Sequence, residues 1–409
     1  MRTSPASYAV RKQAQSHIDV MRLETPFHSR IAAAMQQEEW YVWNGYKSAA
    51  VITDEELEYF AIRSTSSVFD ISPMVKYRIE GADAESYLNR LTVRDVSKLR
   101  PGRVHYTAWC DDAGHVLDDG TLFRFADDLF RLCCQERHLP WLLDSAIGFD
   151  VNVHEETEDF AGLALQGPTS CAILKAAGFK GIETLKPFNI AEFKLKGQNV
   201  TISRTGFTGD LGYELFVPAK NALALWDALQ LAGGLYGLRP IGYAALNSAR
   251  MEAGFIVANG DFITSETALR ADRARLPDEI GLDWLVDLAK PHFNGRAAIR
   301  QARQNGTLRH VLVGLEIEGN IPADHAIVYH NKKREVGLVS AAIWSPTGKR
   351  NIALATLQRP YGISTKDNLW VEIYAMRELQ YQKMMKQAKV VERPFVKLTR
   401  RTLTPPDDR

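Results

Sequence analysis
The chain has 409 residues, two to three times a domain of roughly 100 to 200, so more than one domain and a large buried core are expected. Hydrophobic residues make up 45% and charged residues 24%, and 50 Lys and Arg stand against 49 Asp and Glu. That balance excludes the broad basic footprint of a nucleic-acid binder or of a protein held on an anionic membrane, and leaves small-molecule chemistry as the default. Cys110, Cys133, Cys134 and Cys171 form no CxxC pair and have no histidine at metal spacing, so reduced cytoplasmic thiols are expected, without a zinc site or a disulfide framework. No run approaches the roughly 20 apolar residues of a membrane span.

In chain order, residues 1–24 read as a surface helix or arm. The stretch from Trp40, WYVWNGYKSAA, is rich in rings; Trp43 and Tyr46 are candidates to line a pocket for an aromatic or cationic ligand, with packing between domains as the alternative. Glu55 to Ser64 has helical spacing. A strand through Tyr77 to Ile79 and a helix from Asp83 to Leu91 follow. Val104 to Ala126, VHYTAWCDDAGHVLDDGTLFRFA, is the central stretch, with two acidic pairs between strand-forming residues; Asp112-Ala113-Gly114 and Asp119-Gly120 both have turn chemistry. LFRLCC and Phe160 to Leu165 read as strands, and Leu139 to Ile147, Asn221 to Leu231 and Tyr243 to Ala253 as helices. Single helices alternating with paired strands predict antiparallel α+β sheets. From Arg309 the pattern changes to short strands, VLVGLEIEG, AIVYH, EVGLVSAAI, NIALATL and LWVEIYA, which predict a small barrel or sandwich. The tail from Thr402 is expected to fray. No GxGxxG or Walker-type loop is present, so no nucleotide-binding fold is indicated.

Five motifs arrive in a fixed order: VFDISPM at 68–74, the central stretch, LALQGP at 163–168, RTGFTGDLGYE at 204–214 and PIGYAALNSARMEAG at 240–254. This series resembles the glycine-cleavage T-protein (aminomethyltransferase) family and its wider group of tetrahydrofolate-dependent demethylases. The resemblance implies an α+β fold with antiparallel sheets and helices around a central folate cavity, plus a C-terminal β-barrel. The implied division is an extension at 1–24, a catalytic region of two interleaved subdomains at 25–305 and a barrel at 306–409.

The resemblance also implies roles. Asp118 matches the family aspartate beside the ring nitrogens of tetrahydrofolate, and Asp119 is then left to the turn. Glu214 matches the glutamate on the pterin edge, Tyr106 a tyrosine near the folate, and Arg250 and Arg350 basic positions that could reach it. Pro73, Phe207 and Leu246-Asn247 replace the histidine, tyrosine and Arg-Asp common in T-proteins, and ALNSARMEAG is closer to the folate domains of dimethylglycine and sarcosine dehydrogenases. With Pro73 and Leu246 in the donor pocket, a free N-, O- or S-methylated or methylenedioxy donor is expected in preference to a lipoyl carrier arm. The runner-up is the glycine-cleavage aminomethyltransferase itself. A non-catalytic folate protein of iron-sulfur assembly ranks lower, because its KGCYxGQE motif is missing from FIVANGDFITSE. An oxidoreductase or carrier-protein partner is possible; a metal, nucleic acid or membrane is not expected.

Overall fold
The computed structural model describes residues 23–377, 379–403 and 405. The arm expected over 1–24 therefore lies outside the described residues except for Leu23 and Glu24. Leu23 exchanges backbone hydrogen bonds with Gly45 and Lys47.

Two sheets pack face to face. One has six strands in the order Ile190–Leu195, Gln198–Ser203, Gly212–Pro218, Phe160–Gln166, Ser66–Asp70 and Leu238–Pro240; the other has five, Arg103–Cys110, Val116–Ala126, Leu129–Cys134, Val75–Glu80 and Asn152–Glu155. Pairing is antiparallel throughout except where Leu238–Pro240 runs parallel to Ser66–Asp70. Side chains alternate along each strand, so each sheet has two faces of different fate. On Gly212–Pro218, Tyr213, Leu215 and Val217 enter a core with Trp226 and Leu229 of the helix Ala222–Gly233, while Phe216 points the other way and meets Val104, Phe123 and Cys133 of the five-stranded sheet. The seam between the sheets is this second cluster. Leu246 and Ala249 of the helix Tyr243–Glu252 complete it, and Trp43, Met74, Phe125, Phe188, Phe207 and Tyr243 pack on it half-buried.

The expected barrel closes as His310–Ile317, Arg350–Gln358, Arg334–Ser345, Ile327–His330, Leu369–Arg377 and Gln380–Val391. Its sixth strand, QYQKMMKQAKVV, escaped the sequence reading because it is largely exposed and carries no apolar alternation. Two further expectations change. Asp119-Gly120 is not a turn but lies inside the strand Val116–Ala126. Gly120 is there because a Cβ would stand 2.1 Å from the Cys133 carbonyl oxygen of the next strand. At the other end of the chain, Thr402 and Leu403 are held, the Leu403 carbonyl accepting from Arg204.

A buried ionic network joins these parts. Arg63, in the last turn of the helix Glu55–Ser64, forks onto Glu252 Oε2 through Nε (3.0 Å) and Nη2 (2.8 Å), while its Nη1 reaches Asp210 (3.3 Å). Glu252, from the RMEAG motif, also accepts from Tyr59 and from Ser345 at the barrel turn. Asp210, from the GDLGYE motif, takes both arms of Arg400. These motif residues fasten the sheets to the barrel.

Candidate active site
Alternation on the two sheets decides which acidic side chains reach the seam. Glu214 shares the face of Phe216. Its Oε2 accepts from Thr205 Oγ1 at 2.6 Å, and its other oxygen has no donor among the described residues. Burial raises its pKa, partly offset by Thr205. The loop before it, RTGFTGD, is pinned by Gln166 of LALQGP, whose amide donates to the Thr205 and Tyr213 carbonyls and accepts from Thr208. Gly206 and Gly212 flank that amide, and a Cβ on either would come within 2.3 Å of it.

Across the seam, Asp119 pairs with Ala108, and Tyr106 lies two residues along the same strand, so both project from the face that carries Val104 and Phe123. Tyr106 Oη donates to Asp119 Oδ2 at 2.7 Å, and both residues are half-buried. Burial, then the charge of Asp118, raises the Asp119 carboxyl to about 7. The exposed Trp284 stands 6.1 Å from the Tyr106 ring, so the pair lies near the surface on this side.

Asp118 points the opposite way. It is fully buried opposite Trp109, and its oxygens accept from the Asp119 N–H (2.8 Å) and the Glu136 N–H (3.0 Å) and lie 3.1 Å from His138 Nε2. His138 Nδ1 is 3.0 Å from Glu266. Burial lowers the imidazole pKa, but the two carboxylates outweigh burial and hold it raised. Asp118, expected beside the ligand, is thus turned away from the seam, and the aspartate of the pair that faces the seam is Asp119. Sequence reasoning missed His138 altogether, since QERHLPW holds no motif.

The remaining expected residues divide. Leu246 and Trp43 meet in the seam cluster, Trp43 against Phe69 with ring centroids 6.3 Å apart and its buried Nε1 without a partner. Pro73 is buried, its carbonyl held by Asn44 Nδ2 at 2.9 Å. Tyr46 instead lines a separate cleft of about 270 Å³ with Ser72, Thr157 and Glu158. Arg250 does not reach the seam as a free cation, because its guanidinium is committed to Asp261 (2.5 Å), Asn247 and the Phe255 carbonyl. Arg350 is likewise occupied, by Glu316 and the Phe395 carbonyl within the barrel. The four cysteines are free and buried, and burial pushes the Cys133 thiol up to about 12, so none is poised as a nucleophile.

The comparisons agree with this architecture. Residues 25–290 match the GCVT N-terminal domain and 310–397 the glycine cleavage T-protein C-terminal barrel domain. An aminomethyltransferase of Bacillus subtilis is 33% identical over 362 residues, covering 87% of this chain and 94% of that protein. A trimethylamine-oxide aldolase of Ruegeria pomeroyi is 35% identical over 350 residues, 82% of this chain but 43% of that longer protein. The solved aminomethyltransferase T of the Bartonella henselae glycine cleavage system superposes with a TM-score of 0.80 at 24% identity, covering 92% of this chain and 98% of the other, and so supports the fold. Two α+β sheets closed by a six-stranded barrel, with both T-protein domain models matched in order, mark the chain as a transferase of the T-protein class. The chain belongs to the glycine-cleavage T-protein family.

Proposed function
We propose that the chain moves a methyl or methylene group from a small N-, O- or S-methylated or methylenedioxy donor to tetrahydrofolate held in the seam. The observation that carries this reading is the half-buried Tyr106–Asp119 pair, its carboxyl raised toward neutrality, on the strand face across the seam from the open oxygen of Glu214. A flat ligand with hydrogen-bonding groups along one edge suits the unpartnered Glu214 oxygen and the orphaned Trp43 N–H. Bound tetrahydrofolate supplies the nucleophilic ring nitrogen that receives the carbon. Glu214 orients the pterin edge through a charge-assisted contact. Asp119, ionising near neutral pH, accepts or returns the proton at that nitrogen, and Tyr106 fixes its carboxyl. Half-buried rings exclude water from the transfer.

Leu246 and Pro73 make the donor side apolar, which favours a free small molecule over a protein-bound aminomethyl-lipoyl arm. The likeness to the Bacillus subtilis aminomethyltransferase along nearly its whole length supports that arm as the second reading. A cytoplasmic location suits the four unpaired thiols, and among the described residues no helix is long and apolar enough to cross a membrane.

Glu214→Ala is expected to weaken tetrahydrofolate binding by about 1.5 to 3 kcal/mol, the scale of a charged hydrogen bond. Titration of the folded variant checks this, and an unchanged affinity removes Glu214 from the site. Asp118→Asn tests the electrostatics. Removing the neighbouring charge lets the Asp119 pKa fall, so the ionisation of Asp119 in the pH profile of turnover moves to lower pH while activity persists. An unmoved profile would show that Asp118 does not tune Asp119.

A further inference from the structure
Arg393 differs from most of the cations around the seam; Arg401 also lacks an ion pair among the described residues, but its guanidinium lies over the Phe255 ring at 5.1 Å. Arg63 is bound by Glu252 and Asp210, Arg250 by Asp261, Lys290 by the Thr92 and Arg94 carbonyls, and Arg94 by the Tyr106 carbonyl. Arg393 is half-buried beside the barrel and makes no hydrogen bond or ion pair among the described residues. It lies within the electrostatic reach of Tyr106, Asp261 and Asp283. None of them is placed to hold it. Asp261 gives Oδ2 to Arg250 and the Val257 N–H and Oδ1 to Ser340, Tyr106 donates to Asp119, and Asp283 is exposed to solvent.

The backbone makes room for this side chain. Gly254 and Gly281, both at positive φ, abut it: a Cβ at Gly254 would stand 2.9 Å from Arg393 Cβ, and one at Gly281 would stand 2.3 Å from Nη2. An unpaired guanidinium withdrawn from water is costly, and burial lowers its pKa. Its planar fork is shaped for a carboxylate. We propose that Arg393 is a carboxylate anchor on the barrel side of the seam, beside the Tyr106–Asp119 pair. This rests on the folate reading above and narrows it. The carboxylate belongs either to the donor, which is then of the N-methylated amino-acid class, or to the glutamyl tail of the folate.

The test is calorimetric titration of the full chain and of Arg393→Gln with four probes: tetrahydrofolate, 6-methyltetrahydropterin, which lacks the tail, N,N-dimethylglycine, and trimethylamine, which lacks the carboxylate. Loss of roughly tenfold or more for a carboxylate-bearing probe, with its carboxylate-free counterpart unchanged, is expected. The folate pair and the amine pair identify which carboxylate is held. Gly281→Ala, which crowds the guanidinium without removing it, should cause the same selective loss, and thermal melts of both variants guard against misfolding. Equal affinities for every probe in the unmodified chain and both folded variants overturn the anchor alone. If the unmodified chain binds none of the probes, the folate reading falls with it.

Discussion

Asp119→Asn is expected to lower turnover by roughly a hundredfold or more, while the same change at Asp118 leaves an active enzyme. The two residues are adjacent, but the pleat sends their side chains to opposite faces. Asp118 is walled in by His138 and two backbone N–H groups, whereas Asp119 meets Tyr106 in the seam. Stability separates a catalytic loss from a folding defect. The Asp119 carboxyl ionises in the unfolded chain near its ordinary value of 3.8 and in the fold near 7, so between these values the native state holds the extra proton. Stability therefore falls as pH rises through that window, because ionising the buried group beside Asp118 opposes folding. Asparagine removes this burden, and the Asp119→Asn protein should melt at least as high as the parent above pH 7. Turnover and thermal midpoints of both variants across pH 5 to 8.5 decide the matter. An active Asp119→Asn, or an inactive Asp118→Asn that melts normally, would contradict the assignment.

Arg63→Met is expected to cost about 3 to 5 kcal/mol of stability, more than any other single change considered. The side chain is replaced by one of similar length, so little packing is lost. What remains is the fully buried Glu252 without its guanidinium fork and Asp210 left to Arg400 alone. Because Glu252 also accepts from Tyr59, Ser345 and the Thr347 N–H, the damage should reach the junction between helix and barrel. Denaturant titration followed by fluorescence is the measurement. A change below about 1 kcal/mol would mean that water or another cation compensates the carboxylates.

How far the sequence could be read depended on the range of the forces involved. Helix Glu55–Ser64 was legible because its apolar spacing is local and Asp54 caps it through the Leu57 N–H. Strand Leu129–Cys134 was legible for the same kind of reason. The hairpin of Glu39–Trp43 and Tyr46–Val51 carries a local signal, Asn44-Gly45, with both residues at positive φ. Asp119-Gly120 shows the limit. The dipeptide is good turn chemistry, and only the carbonyl of Cys133, on the neighbouring strand, reveals that glycine is needed for close approach. Arg250 and Arg350 were placed near the ligand by resemblance, but their partners Asp261, Glu316 and the Phe395 carbonyl come from segments that no motif links to them. The acidic pair could be found in the sequence, but neither which of its members faces the seam nor the pairing that uses up the cations could be.

The most direct test of the central claim is to incubate the purified chain with tetrahydrofolate and a panel of N-, O- and S-methyl and methylenedioxy compounds, following folate products by mass. The account predicts that tetrahydrofolate gains one carbon from at least one free donor, and that product is lost in Asp119→Asn but retained in Asp118→Asn. Carbon transfer only from an aminomethyl-lipoyl carrier protein, with every free donor untouched, would contradict it.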